Sequence, residues 1–240
     1  MQNVELIRFA SPEALAKAAA EAWLDEIESA NRSGERHSVA LSGGRITQKF
    51  FASVLEQAKC RKTSFAPVHF FWADERCVPP ADAESNFKIA NDLLFDPLEI
   101  PKAQIYRLRG EEVPETAAKL AEAEIRRVLP ADAAGQPVLD LVFLGLGEDG
   151  HVASLFPGES ESWVADKAVY RGIHGSPKPP PNRITIGYQT IAAARQVWML
   201  ASGSGKDTAL RDSLASDGKT SFARVLRLRS ETRILTDIAI

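Results

Sequence analysis

Apolar residues along this chain follow two alternating rhythms: short unbroken runs, and longer stretches in which they recur every three or four positions. Unbroken runs predict strands buried on both faces, and the three-to-four spacing predicts helices with one packed stripe. Val4–Phe9 reads as a strand. Ser11-Pro12-Glu13 then opens a helix, with Ser11 as cap and Pro12 in the first turn. Leu15, Ala19, Trp23 and Ile27 form its stripe. Ser38–Leu41 is a short strand that breaks at Ser42-Gly43-Gly44, and Phe50, Phe51, Val54 and Leu55 mark the helix that follows. Val68–Ala73 is a third strand, ending in Asp74-Glu75-Arg76. Asn86 to Leu94 reads as helical, with Asn86 as its cap, and Ile105–Leu108 as extended. Glu115–Leu129 is helical, on Ala118, Leu120, Ala121, Ile125 and Val128. Leu139–Gly145, Arg183–Ile186 and Gln196–Ala201 are further strands, Lys206–Leu214 a helix, and Arg233–Leu235 a last edge strand.

This alternation predicts an α/β fold: a Rossmann-like three-layer α/β/α arrangement around a mainly parallel sheet. Lys178-Pro179-Pro180-Pro181 reads as a stiff loop rather than a linker, so residues 1–240 are expected to form one domain. Composition adds only exclusions. A net charge of −3 argues against a nucleic-acid or anionic-membrane binder. No apolar segment is long enough to span a bilayer, and Met1 to Glu5 lacks the start of a signal peptide. Cys60 and Cys77 have no metal-ligand spacing and read as free thiols, so the expected location is the cytoplasm.

In open α/β sheets chemistry gathers at the carboxyl ends of strands, and four such ends carry polar residues. Ser42-Gly43-Gly44 sits between a strand and a helix, where backbone N–H groups can converge on phosphate. Arg76 follows the third strand and can hold an anion with two parallel hydrogen bonds, or form a surface ion pair. Gly145-Leu146-Gly147-Glu148-Asp149-Gly150-His151 places one of four histidines beside two carboxylates, as a candidate base or as an ordinary turn residue. Its G-x-G-x-x-G match is not a dinucleotide site, because Glu148 and Asp149 would oppose a phosphate and Pro157 ends any helix too soon. Gly203-Ser204-Gly205-Lys206 is not a P-loop, since Leu200 and Asp207 occupy required positions, yet Lys206 can still bind one phosphate. Arg183 is a weaker anion candidate. His37, His69 and His174 have no motif context.

Taken in order, these segments resemble the family of 6-phosphogluconolactonases and glucosamine-6-phosphate deaminases. The resemblance rests on Leu41 to Gly44, Trp72 to Pro79 with Glu84-Ser85-Asn86, Gly145 to Pro157, Arg183-Ile184-Thr185 and Gly203 to Lys206. Arg76, followed by Val78-Pro79 and later Ser85-Asn86, resembles the lactonase branch; deaminases typically carry an aromatic residue at Arg76. One departure stands out. The family's loop usually continues with Ser-Thr-Pro, whereas Arg45-Ile46-Thr47 follows here, so that either Arg45 or Thr47 compensates for the hydroxyl lost at Ile46 or the phosphate is held less tightly.

The resemblance implies hydrolysis of 6-phosphogluconolactone without a required cofactor or metal. His151 would be the general base, Asp149 would orient it, and Arg76 would anchor substrate or stabilise developing charge. Ser42, Gly43, Gly44, Arg45 and Lys206 would hold the phosphate, with Asp74 and Arg183 as further substrate-binding residues. The expected partner is a sugar-phosphate lactone, with the protein a monomer or weak homo-oligomer. A serine nucleophile at Ser42 or Ser154 is the rival chemistry, although neither lies in a G-x-S-x-G elbow. The alternatives are an amino-sugar-phosphate deaminase/isomerase and a non-catalytic sugar-phosphate binder.

Overall fold

The computed structural model describes residues 3–240. Six parallel strands form the central sheet: β1 (Asn3–Arg8), β2 (His37–Leu41), β3 (Val68–Trp72), β5 (Leu141–Gly145), β8 (Gln196–Ala201) and β9 (Glu231–Thr236). Their order across the sheet is β1-β9-β8-β5-β2-β3. Three other strands, β4 (Asp74–Arg76), β6 (Tyr170–Ile173) and β7 (Arg183–Ile186), form a small antiparallel sheet in the order β4-β7-β6.

The strand order explains where a site can form. From β2 the chain crosses to β3 on one side, whereas from β5 it crosses to β8 and then β9 on the other. Right-handed crossovers running in opposite directions put their helices on opposite faces. Thus α1 (Pro12–Ser33) and α2 (Arg45–Arg61) pack together on one face, and α6 (Tyr188–Ala193), α7 (Asp207–Leu214) and α8 (Ser221–Leu228) pack on the other. The reversal leaves a crevice between the carboxyl ends of β2 and β5, the usual ligand position in open α/β sheets.

Local signals account for the main elements. Ser11 caps α1 by accepting from the Ala14 N–H, with Pro12 in the first turn, and Gly34 ends the helix in the left-handed region at φ 71°. The apolar runs are buried on both faces of the sheet, as along all of β2, and on the α1 face Trp23 lies edge-on to Phe70 and Phe143, and Phe143 edge-on to Trp198. This core fixes the strands whose ends carry the polar residues.

Several expectations need correction. The strand expected at Arg233–Leu235 is not an edge, since β9 lies between β1 and β8. Leu120, counted in the buried stripe of α4 (Pro114–Val128), is 42% exposed, and Leu55 is only half-buried. Asn86 does not cap its helix: Ser85 does, accepting from the Lys88 N–H. That helix, α3 (Asn86–Ala90), widens into a π-helical turn over Asn91–Phe95. From Ile105–Leu108 only Ile105 bridges the sheet, next to Phe70.

Candidate active site

Strands β8, β5, β2 and β3 are consecutive in the sheet, so the four polar strand ends share one rim. Between them lies a cleft of about 310 Å³. Ser42, Gly43, Gly44 and Arg45 line it from the β2 end, Asp74 and Arg76 from β4, and Gly147, Glu148 and His151 from the turn after β5. Lys178 and Pro179, Arg183 and Lys206 complete the wall.

The Ser42-Gly43-Gly44 loop is shaped by close approach. A Cβ on Gly43 would lie 2.0 Å from Asn86 Oδ1, so no larger residue fits without displacing Asn86. Gly44 precedes α2 at φ 114°, a conformation that favours glycine. No side chain caps the N-terminus of this 17-residue helix, which leaves first-turn N–H groups and the positive dipole end facing the cleft. The Ser42 hydroxyl donates to the Phe143 carbonyl at 2.7 Å and Thr47 Oγ1 donates to the Gly43 carbonyl at 3.0 Å. Thr47 is buried and not part of the cleft wall, whereas Arg45 is. Of these two residues only Arg45 faces the cleft.

The turn after β5 builds a histidine–carboxylate pair. His151 Nδ1 lies 2.5 Å from Asp149 Oδ1, which also accepts from the His151 main-chain N–H at 3.3 Å. Only glycine fits at position 147, where a Cβ would stand 2.0 Å from His151 Nδ1 and 2.6 Å from Asp149 Oδ1. Phe156 flanks the ring at 5.0 Å between centroids. With the Nδ1 proton donated to Asp149, the Nε2 lone pair is left to accept a proton. Among the described residues nothing bonds Nε2. Burial pushes the His151 pKa below the ordinary imidazole value, the contact with Asp149 opposes that shift, and the nearby Lys178 charge adds to it. Burial would raise Asp149, but the hydrogen bond and charge of His151 outweigh it and hold the carboxylate below its usual range.

The cations differ in how far they are committed elsewhere. Arg76 donates from Nη1 to the Glu84 carbonyl at 2.8 Å, while its buried Nε has no partner. Lys206 is pushed below the usual lysine range by burial and then by Arg45 and Lys178, with Glu148 and Asp237 opposing. Cations crowded in this way favour an anion between them. Arg183 is 4% exposed and donates to the carbonyls of Lys178, Pro179 and Pro180 and to Ser154 Oγ, leaving one Nη1 hydrogen for a ligand. Asp74 accepts from Ser154 Oγ at 2.8 Å and from Asn86 Nδ2 at 3.2 Å.

The family model of glucosamine-6-phosphate isomerases/6-phosphogluconolactonase matches residues 10–234. The chain belongs to this family. It is 33% identical to a 6-phosphogluconolactonase of Streptomyces coelicolor, over 98% of this chain and 92% of that protein. It is 36% identical to one from Treponema pallidum, over 75% of this chain and 72% of that protein. Among solved structures, the 6-phosphogluconolactonase of Trypanosoma brucei superposes with a TM-score of 0.82 at 28% identity, covering 98% of this chain and 96% of that one.

Both candidate serines have hydroxyls already engaged within the fold. Ser42 is bonded to the sheet, and Ser154 is fully buried between Asp74 and Arg183. Sequence reasoning missed Lys178, hidden in a run read only as a stiff loop. It also missed the contact of Asn86 with the glycine loop. Neither has a local signal, since each is placed by long-range packing.

Proposed function

We propose that this protein hydrolyses 6-phosphogluconolactone to 6-phosphogluconate, with His151 as general base. The phosphate sits against the backbone N–H groups of Ser42-Gly43-Gly44 and the start of α2, with Arg45 and Lys206 supplying charge. The lactone carbonyl lies toward His151 and Arg76. Nε2 of His151 takes a proton from water as its oxygen bonds to the carbonyl carbon, and Asp149 stabilises the imidazolium that forms. Arg76 meets the developing oxyanion, or afterwards the new carboxylate, through N–H groups that the fold leaves available. Collapse of the tetrahedral intermediate breaks the ring ester bond, and the proton returns from His151 to the leaving ring oxygen.

The observation that carries this reading is a histidine oriented by a carboxylate, with Nε2 open to the same cleft as five cationic side chains and the glycine loop. The test is a lactonase assay corrected for spontaneous hydrolysis of the substrate. Turnover well above the blank is expected. Ammonia release from glucosamine 6-phosphate without lactone hydrolysis would put the chain in the deaminase branch instead, and binding without either reaction would make it a sugar-phosphate binder.

A further inference from the structure

The segment Lys178-Pro179-Pro180-Pro181 lies beside the catalytic pair because Arg183 holds it there. Arg183 Nε donates to the Pro180 carbonyl at 3.1 Å, and Nη2 donates to the carbonyls of Lys178 and Pro179 at 3.1 and 3.0 Å. Three consecutive carbonyls thus converge on one guanidinium, a geometry a lysine ammonium cannot copy. The guanidinium is fixed from below by Ser154 Oγ, itself bonded to the buried Asp74 carboxylate. Lys178 is carried by this clamp, and its Nζ reaches to 3.7 Å from Asp149 Oδ1, the oxygen that bonds the His151 ring.

We propose that Lys178 and Arg183 are positioning residues for the general base: Arg183 clamps the proline loop, and the loop delivers the Lys178 charge to the Asp149–His151 pair. This rests on the lactonase reading for its kinetic consequence, though not for the contact itself. Asp149 raises the basicity of His151 against the burial that lowers it. A cation beside the same carboxylate oxygen shares that negative charge and lowers the basicity of the ring. The charged groups facing His151 are Asp149 and Glu148 from its own turn, Asp74 from β4 and Lys178 from the loop, with Arg76 from β4, Arg183 from β7, Arg45 at the start of α2 and Lys206 before α7 around the same cleft. Asp149 and Asp74 favour the imidazolium, whereas Lys178 opposes it.

The test compares Lys178→Met, Arg183→Lys and the double variant by the acid limb of kcat/KM against pH, which reports the free enzyme's base. Lys178→Met removes the opposing charge while keeping the stem, so the limb should move to higher pH. Arg183→Lys keeps a charge but loses the fork that fixes the loop, so the limb should move the same way. In the double variant it should move no further than with Lys178→Met alone, because Arg183 acts on the base only through Lys178. An unmoved limb in Lys178→Met would overturn the proposal, as would an Arg183→Lys shift that persists when Lys178 is already replaced. NMR titration of the His151 ring in the same variants reads the effect without turnover. A chain that does not hydrolyse the lactone would defeat the functional reading while leaving the clamp open to this measurement. Should Arg183→Lys lower the thermal midpoint, the Lys178→Met titration still decides.

Discussion

The two edges of the central sheet each hold a cavity with a histidine and a carboxylate, and they differ in what surrounds those groups. At the amino edge the cavity is the larger, about 550 Å³, and is lined by Glu26, His37, Asp140 and Arg195 among others. There the polar atoms mostly serve one another. His37 Nε2 accepts from the buried Trp23 Nε1 at 3.1 Å, Asp140 Oδ2 accepts from Ser38 N and Oγ at 2.8 and 2.7 Å, and Arg195 stands 3.4 Å from Asp140. Glu26 accepts from Gln196, and burial raises its pKa toward the neutral acid. At the carboxyl edge the cleft is smaller, yet among the described residues His151 bonds only through Nδ1, Arg76 Nε has no partner, and the cations outnumber the carboxylates. Burial lowers the pKa of both histidines, so a shifted pKa does not tell the two apart. Their neighbours do: Nε2 of His37 is taken by a buried indole, whereas His151 shares its cleft with five cationic side chains and the glycine loop. Cavity size is a poor guide here, and the chemistry of the wall a better one.

The sharpest way to break this comparison is to remove each histidine in turn. His151→Ala should lower kcat by about 100- to 10,000-fold, the usual worth of a general base, with little change in the melting temperature. His37→Ala should do the reverse. It strands a buried indole N–H, at a cost of about 1–3 kcal/mol in denaturant unfolding, and leaves turnover near parental. In the parent, the acid limb of kcat/KM should lie below the ordinary imidazole pKa, because His151 is held low and stays neutral until the pH falls beneath that value. A limb above it would mean that Asp149 dominates the site.

Arg76→Lys should come next in size. The charge remains but the planar fork is lost, so kcat/KM should fall clearly, and parental kinetics would return Arg76 to a pairing role with Glu84. A smaller effect is expected from Lys206→Ala, which should weaken competition by inorganic phosphate or 6-phosphogluconate. In the parent that competition should weaken as salt rises. The smallest effect belongs to Ile46→Thr, which restores a hydroxyl to a loop whose main donors are backbone N–H groups. Phosphate competition there should be equal or slightly stronger, and a marked loss would show that Ile46 shapes the loop.

Much of this was legible in the sequence, for a physical reason. Strands buried on both faces must be written as apolar runs, so β2, β3, β5 and β8 announce themselves, and their polar ends stand out against them. What failed was whatever depends on distant partners. The place of β9 inside the sheet is set by pairing with β1, more than 200 residues away in sequence. The strand β6 was unread because Arg171-Gly172 interrupts its apolar run, and it exists only through pairing with β7. Helix α8 did carry a local signal: a Thr220 cap bonded to the Ala223 N–H, ahead of apolar Phe222, Val225 and Leu226. At the site, the His151–Asp149 pair is two residues apart and visible as a motif. The role of Lys178 depends on an arginine clamp that only tertiary structure reveals.

The proposed chemistry requires the cleft to read the phosphate and hydrolyse the lactone in one event. The decisive measurement is kcat/KM for 6-phosphogluconolactone against the same lactone without its phosphate, each corrected for spontaneous hydrolysis. Clear preference for the phosphorylated lactone is expected, with the advantage shrinking in Lys206→Ala. Equal efficiency on both substrates would contradict the assignment of Ser42, Gly43, Gly44 and Lys206, and no turnover of either would contradict the proposed function itself.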